Sequence, residues 1–417
     1  MEIAAERFKR TKLSCYCSYV STASAFALPA LLFVTFHEKY GISFTLLGTL
    51  VLVNFCTQLG IDLVFSFFSR FFNLKWTVRL TPLVCSLGLL LYALAPFLFP
   101  NNVYVGLLLG TVVFSVSAGL SEVLISPTVA AIPSKTPDRD MSFLHSLYAW
   151  GLVGVILFST LFLKVFGRDN WMYLTMILAV LPVFTFILFT LSPMPNMDVS
   201  GKKGEKANKK RILGLALCVA CIFLGSAAEN GMTNWISGFM ETTLGVDKVW
   251  GDIFGMALFA ILLGLTRVAY AKYGKNISTV LLAGMIGCVI CYLVAGLSPS
   301  NVVALIACVI TGICSSMLWP GTLILMEESY PGIGVSAYAL MAAGGDFGAS
   351  LSAQLIGAVT DRVALTSFAA DLAQKLASTP EEIGMKVAMI ITAIFPVLGT
   401  VVVLVIRQLI VKKKTLI

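Results

Sequence analysis

Glu122, Asp62, Glu229 and Asp346 each sit inside a long apolar run, where an ionised carboxylate is costly unless it faces a cavity or a partner. Glu122 shares a stripe with Ser115, Gly119 and Ser126, spaced at three and four residues, which puts all four on one helix face and leaves the rest apolar. In such surroundings the protonated carboxyl is cheaper to bury than the charged one, so Glu122 is the first candidate to carry a proton. Pairing with Lys135 or Arg139 is the other role open to it. Asp346, in line with Ser350 and Gln354 and flanked by Gly344, Gly345 and Gly348, is the second candidate. Asn54, Gln58, Asp62 and Ser66 recur every four residues, and Asp62 either shuttles protons or forms a gate ion pair with Arg70 or Lys75.

Ser226, Glu229, Asn230, Thr233, Asn234 and Ser237 form another stripe, with Gly231 within it and Trp235 beside it. Amides and hydroxyls next to an aromatic face suit a polyol, whose hydroxyls donate and accept while its C–H face lies on a ring. The same residues also serve as glue between membrane helices, so both roles stay open. Asn54, Gln58, Tyr148, Trp150, Trp319 and Gln354 complete the substrate-binding candidates; Trp319 either stacks on a ring or fills the core. His145 is a proton relay or a loop anchor. Arg70, Arg139, Arg267, Glu327 and Glu328 are candidates for a cytoplasmic gate, with Glu327 and Glu328 paired to Lys272 or Arg267.

The elements that position these residues follow from composition. The 417 residues are 58% hydrophobic and 12% charged, with mean hydropathy +0.92, whereas a soluble domain carries about a quarter charged residues. A soluble protein is excluded. Apolar blocks lie near 13–36, 44–68, 77–99, 104–128, 143–166, 171–192, 212–236, 249–271, 278–297, 301–326, 335–359 and 386–410, which predicts twelve membrane helices. With both termini cytoplasmic, 22 Lys/Arg fall inside and 7 outside, which sets the orientation N-in and C-in. The basic stretch Gly201 to Arg211 reads as part of a cytoplasmic linker, residues 196–211, joining a half at 1–195 to one at 212–417.

Met1 to Arg10 is charged and leads into a full-length apolar block, so the first span is expected to be retained. The net charge of +8 implies no nucleic-acid partner, because position governs charge in a membrane protein. All ten cysteines lie in apolar blocks; Cys218-x-x-Cys221 and Cys288-x-x-Cys291 have metal spacing, but two His in the chain leave a zinc site without support. No Walker A sequence occurs, and neither cofactor, metal nor enzymatic activity is expected. The Asn276-Ile-Ser278 sequon falls on the inside and should be silent, and Val363 to Ala377 reads as a short interfacial helix or lid.

The two halves repeat. Pro127 and Pro320 are 193 residues apart, and moving 194 residues from Gly151 and Gly154 lands on Gly345 and Gly348. GLSEVLISPTVAAIP followed by MSFLHSLYAWG, SSMLWPGT and AAGGDFG together resemble the fucose permease-like branch of the major facilitator superfamily, the sugar:proton symporters. That resemblance implies an all-α fold of twelve helices in two parallel six-helix repeats, a binding site at the midplane, and a proton-coupling role for the acid at Glu122. Two departures stand out: the loop after the second run is Ser66 to Lys75 in place of the superfamily's Gly-x-x-x-Asp-Arg-x-Gly-Arg-Arg, and Ser14 to Phe36 contains no acid.

The expected function is secondary active transport of a small polar solute, most simply a sugar, coupled to protons in the bacterial cytoplasmic membrane, by a monomer in lipid. A proton-antiport efflux pump for amphipathic compounds is the alternative; the absence of proline from Phe143 to Phe166 counts against it. A non-transporting membrane sensor is a second alternative, disfavoured because no loop exceeds about 26 residues.

Overall fold

A computed structural model of the chain describes residues 7–68, 71–134, 137–195, 209–330 and 335–411. Hydrocarbon offers the backbone no partners, so each apolar run closes its own hydrogen bonds as a helix. The spans are α1 (Lys9–Tyr40), α2 (Phe44–Phe68), α3 (Leu74–Ala93), α4 (Val103–Ala130), α5 (Pro137–Phe166), α6 (Trp171–Leu178 and Val180–Thr190) and α7 (Lys209–Leu244). There follow α8 (a π-helical start, Gly251–Ala257, then Leu258–Tyr273), α9 (Ile277–Leu297), α10 (Asn301–Ser315 and Leu318–Ser329), α11 (Val335–Ala364) and α12 (Pro380–Thr392 and Ile394–Ile406). The chain is an all-α membrane protein with twelve helical spans in order, and no strand occurs among the described residues. Among the described residues ten helices are long and apolar enough to cross a membrane, and α5 adds a shorter apolar stretch, Trp150–Phe166. Of the expected linker, residues 196–208 lie outside the described residues.

The interruptions of α6, α10 and α12 share one cause. Proline has no N–H for the carbonyl four residues back, and its ring crowds that carbonyl. Pro182, Pro320 and Pro396 stand four residues after Leu178, Ser316 and Thr392, and α6, α10 and α12 break at those points. Pro127 leaves α4 continuous, so the prolines that mark the sequence repeat act differently in the two spans.

The chain forms two compact units, one of residues 1–35 and 53–201, the other of 36–52 and 202–417. In the first, α3 and α4 approach so closely that a Cβ on Gly110 would lie 2.7 Å from the backbone N of Tyr92, and one on Gly88 would strike the backbone of Phe114. Around them Tyr92, Phe114 and Trp171 form an edge-to-face aromatic core. In the second, Gly348 of α11 lies against the carbonyl of Phe223 in α7. The expected helix after α11 is present as Ser367–Leu376, capped by Thr366, with Ala369 and Ala373 buried beside Ile383 and with Leu365 and Phe368 exposed.

The repeated glycines differ in crowding: Gly348 has no room for a side chain, whereas a Cβ on Gly154 meets nothing within 4 Å. Gly348→Val should therefore destabilise the protein by about 1–3 kcal/mol, seen as a lower melting temperature in detergent, while Gly154→Val stays near the parent. Equal melting temperatures for the two variants would contradict this packing.

Candidate functional site

In the first unit the polar line of α2 meets the stripe of α4. Gly119 makes the approach possible, since a Cβ there would lie 3.1 Å from Cα of Gln58. Ser115 Oγ donates to Asn54 Oδ1 at 2.7 Å, and Gln58 Nε2 donates to the same oxygen at 3.0 Å. One turn further along, carboxylate oxygens of Asp62 and Glu122 come within 4.8 Å of each other. Asp62 is buried, and neither of its oxygens finds a hydrogen-bond partner among the described residues. Glu122 is exposed beside Asp62's buried carboxyl. Tyr19 Oη and Ser126 Oγ are 3.1 Å apart on the same α4 face.

Two carboxyls at this separation repel when both are charged, and a proton held by one of them removes the repulsion. The pair joins a buried acid to an exposed one. Tyr148 is half-buried edge-on to Phe26, at 5.6 Å between ring centres, whereas Trp150 is 60% exposed. Arg70 and the side chains of Arg139, His145 and Glu327 lie outside the described residues.

In the second unit the α7 stripe turns largely inward on its own helix. Asn230 Nδ2 donates to the carbonyl and hydroxyl of Ser226, both at 3.2 Å, and Asn234 Nδ2 donates to the carbonyl of Asn230 at 2.9 Å. Trp235, beside a stripe for which the sequence leaves solute binding and helix glue both open, is fully buried, and its Nε1 donates to the carbonyl of Ala353 at 3.0 Å, so it ties α7 to α11. Trp319 is half-buried against Gly345 and packs with a cluster that includes Cys218, Ile222 and Met341. Asp346 is buried on α11, two turns before Gln354.

Arg267, expected at a cytoplasmic gate, pairs with Glu229. Its Nη2 donates to Glu229 Oε1 at 3.0 Å and Oε2 at 3.3 Å, and its Nε to the carbonyl of Ser316 at 2.8 Å. That carbonyl is the one Pro320 leaves without a helical donor. The break in α10 therefore recruits a cation, and the cation recruits Glu229; Glu328, expected beside Arg267, is exposed. Sequence reading also passes over Asp252, fully buried in the π-helical start of α8, which accepts from Ser237 and pairs with Lys248 at 3.3 Å. The Lys-x-x-x-Asp spacing at 248 and 252 is the signal that marks it. All ten cysteines are free.

The fold and this concentration of intramembrane polar groups define a membrane transporter of the facilitator type. The model of the Major Facilitator Superfamily matches residues 15–353, and the chain belongs to that family. No curated protein matches it. Among solved structures, a bacterial homologue of the human lysosomal transporter Spinster, inward-facing and unoccupied, is similar with TM-score 0.76 and 13% identity, over 97% of this chain and 98% of that one. The xylose transporter XylE from E. coli, inward open, is similar with TM-score 0.69 and 13% identity, over 93% and 95%. A single-residue variant of the E. coli fucose:proton symporter FucP follows with TM-score 0.54 and 13% identity, over 94% and 99%. At these identities the likeness is one of fold.

The Glu229–Arg267 pair makes a prediction. Glu229→Gln leaves the guanidinium charge facing a neutral amide, and the variant should lose about 1–3 kcal/mol, read as a lower melting temperature in detergent. Replacing both partners, Glu229→Leu with Arg267→Met, should cost less than the two single substitutions summed, the residual loss reflecting the Ser316 carbonyl left without its donor. If the double variant is as unstable as the two single losses summed, the residues are not coupled.

Proposed function

We propose that this chain is a proton-coupled transporter that carries a small polar solute, a sugar, across the bacterial cytoplasmic membrane by alternating access. The observation that carries the reading is the Asp62–Glu122 pair: two carboxyls within 4.8 Å, one buried and one open, on two spans of a facilitator fold. A proton reaching Glu122 from water passes to the pair and cancels its repulsion, which lowers the cost of the conformation that closes over it. Solute and proton that favour the same conformation are then thermodynamically linked.

Asn54, Gln58 and Ser115 lie one and two turns from the acid pair on α2 and α4, buried and bonded to one another, so a hydroxyl-rich solute would exchange its own hydroxyls for these bonds. Asp346 is a further acid for coupling, while Glu229, already matched by Arg267, is better suited to holding α7, α8 and α10 together. In this reading residues 1–195 rock against 212–417, and a monomer suffices because the acid pair and the polar residues around it come from one chain.

The test is uptake into proteoliposomes of labelled monosaccharides and deoxysugars, with and without an inward proton gradient. The parent should accumulate its solute only with the gradient. Glu122→Gln and Asp62→Asn should each reduce gradient-driven accumulation at least about tenfold while leaving equilibrium exchange measurable. Full accumulation by Glu122→Gln sinks the coupling assignment, and silence across the panel sinks the sugar.

A further inference from the structure

A helix that starts at a membrane surface has N–H groups with no acceptor of its own, and α2 meets that need from far away in sequence. The turn before it, with Gly41 at φ +63°, delivers Ser43, whose Oγ accepts from the N–H of Leu46 at 3.3 Å. The next donors go elsewhere: the N–H of Phe44 reaches Asp361 Oδ1 at 3.2 Å, and that of Thr45 reaches Asp361 Oδ2 at 2.6 Å. Both oxygens of one carboxylate sit on the positive end of α2, a charge-assisted, two-pronged contact.

The surroundings fit this contact closely. A Cβ on Gly48 would lie 2.8 Å from the carbonyl of Ala353, and Gly357 lies against the carbonyl of Phe44. Phe44 is covered by His37, stacked at 4.2 Å, and by Trp235, edge-on at 5.8 Å. His37 is fixed in turn by its Nδ1 at 2.9 Å from the carbonyl of Ile42. Residues 36–52 accordingly cluster with 202–417, whereas the rest of α1 and α2 cluster with the first unit. In the N-in orientation this turn and the end of α11 are both on the external side.

We propose that Asp361 is an external latch of the transport cycle, a positioning residue whose carboxylate holds residues 36–52 on the second unit and releases them whenever the protein opens outward. The inference rests on the transporter reading but not on the solute or the coupling ion. The apolar and glycine contacts of the segment set how closely it fits, and the carboxylate sets where it stops, because hydrogen bonds are directional. At the external end of the spans, water can take over both N–H groups and the carboxylate on release, so the latch is reversible.

Gln354 supplies the reporter, since its Oε1 is buried 3.4 Å from the Cβ position of Gly48, beneath the segment. Gln354→Cys would be labelled in intact cells with a membrane-impermeant maleimide, subtracting the labelling of the otherwise native chain. Added to it, Asp361→Asn should speed labelling about threefold and Asp361→Ala about tenfold, with Asp361→Glu near the parent rate. Size-exclusion profiles report folding, and if the alanine variant is not recovered, the Asn and Glu variants decide. Equal rates for the parent and a monodisperse Asp361→Asn overturn the latch. Labelling needs no sugar and no gradient, so a failed uptake assay leaves this result standing, and unchanged labelling beside proton-driven uptake removes the latch alone.

Discussion

In hydrocarbon a polar group without a partner has nowhere to turn, and that constraint propagates through this protein one residue at a time. Pro320 deprives the carbonyl of Ser316 of its donor, and α10 breaks. The Nε of Arg267 fills the vacancy at 2.8 Å, which brings a permanent charge among the spans. That charge requires Glu229, and α7, α8 and α10 become joined by a chain of obligations that began with one missing N–H. Pro182 and Pro396 break α6 and α12 in the same way.

The same constraint has another outcome in the first unit. The electrostatic neighbour of Asp62 there is a second carboxyl, Glu122. A carboxyl facing a guanidinium is neutralised for good, whereas two facing carboxyls are neutralised by something that comes and goes. Glu229 and the Asp62–Glu122 pair thus illustrate the difference between an acid matched by a fixed cation and an acid that faces another acid.

Much of this was legible in the sequence because helical spacing is geometry. Intervals of three and four residues put Ser115, Gly119, Glu122 and Ser126 on one face, intervals of four aligned Asn54, Gln58 and Asp62, and the two faces meet. Spacing could not tell an open stripe from a closed one. Asn230, Asn234 and Trp235 have the pattern of a binding face, yet their donors go to backbone carbonyls of Ser226, Asn230 and Ala353. Arg267 read as an inner-face charge because Lys272 and Lys275 follow it; what placed it was a proline 53 residues later in the chain. Asp361 belongs to no stripe, and its partners at 44 and 45 are more than 300 residues away, beyond what local pattern carries.

The contacts of this fold differ in what it costs to part them. Breaking the Arg267–Glu229 pair among the spans would leave a guanidinium, a carboxylate and the Ser316 carbonyl all in need of partners, so these helices are expected to move as one body. The Asp361 contact joins groups of the same kind, a carboxylate and N–H donors, near the ends of α11 and α2. A transporter must be rigid within its moving parts and yielding where they close. Here the chemistry of the two contacts is similar, and they differ in what is left behind when they part: a charged pair and an orphaned carbonyl between helices in one, a carboxylate and two helix-end N–H groups in the other.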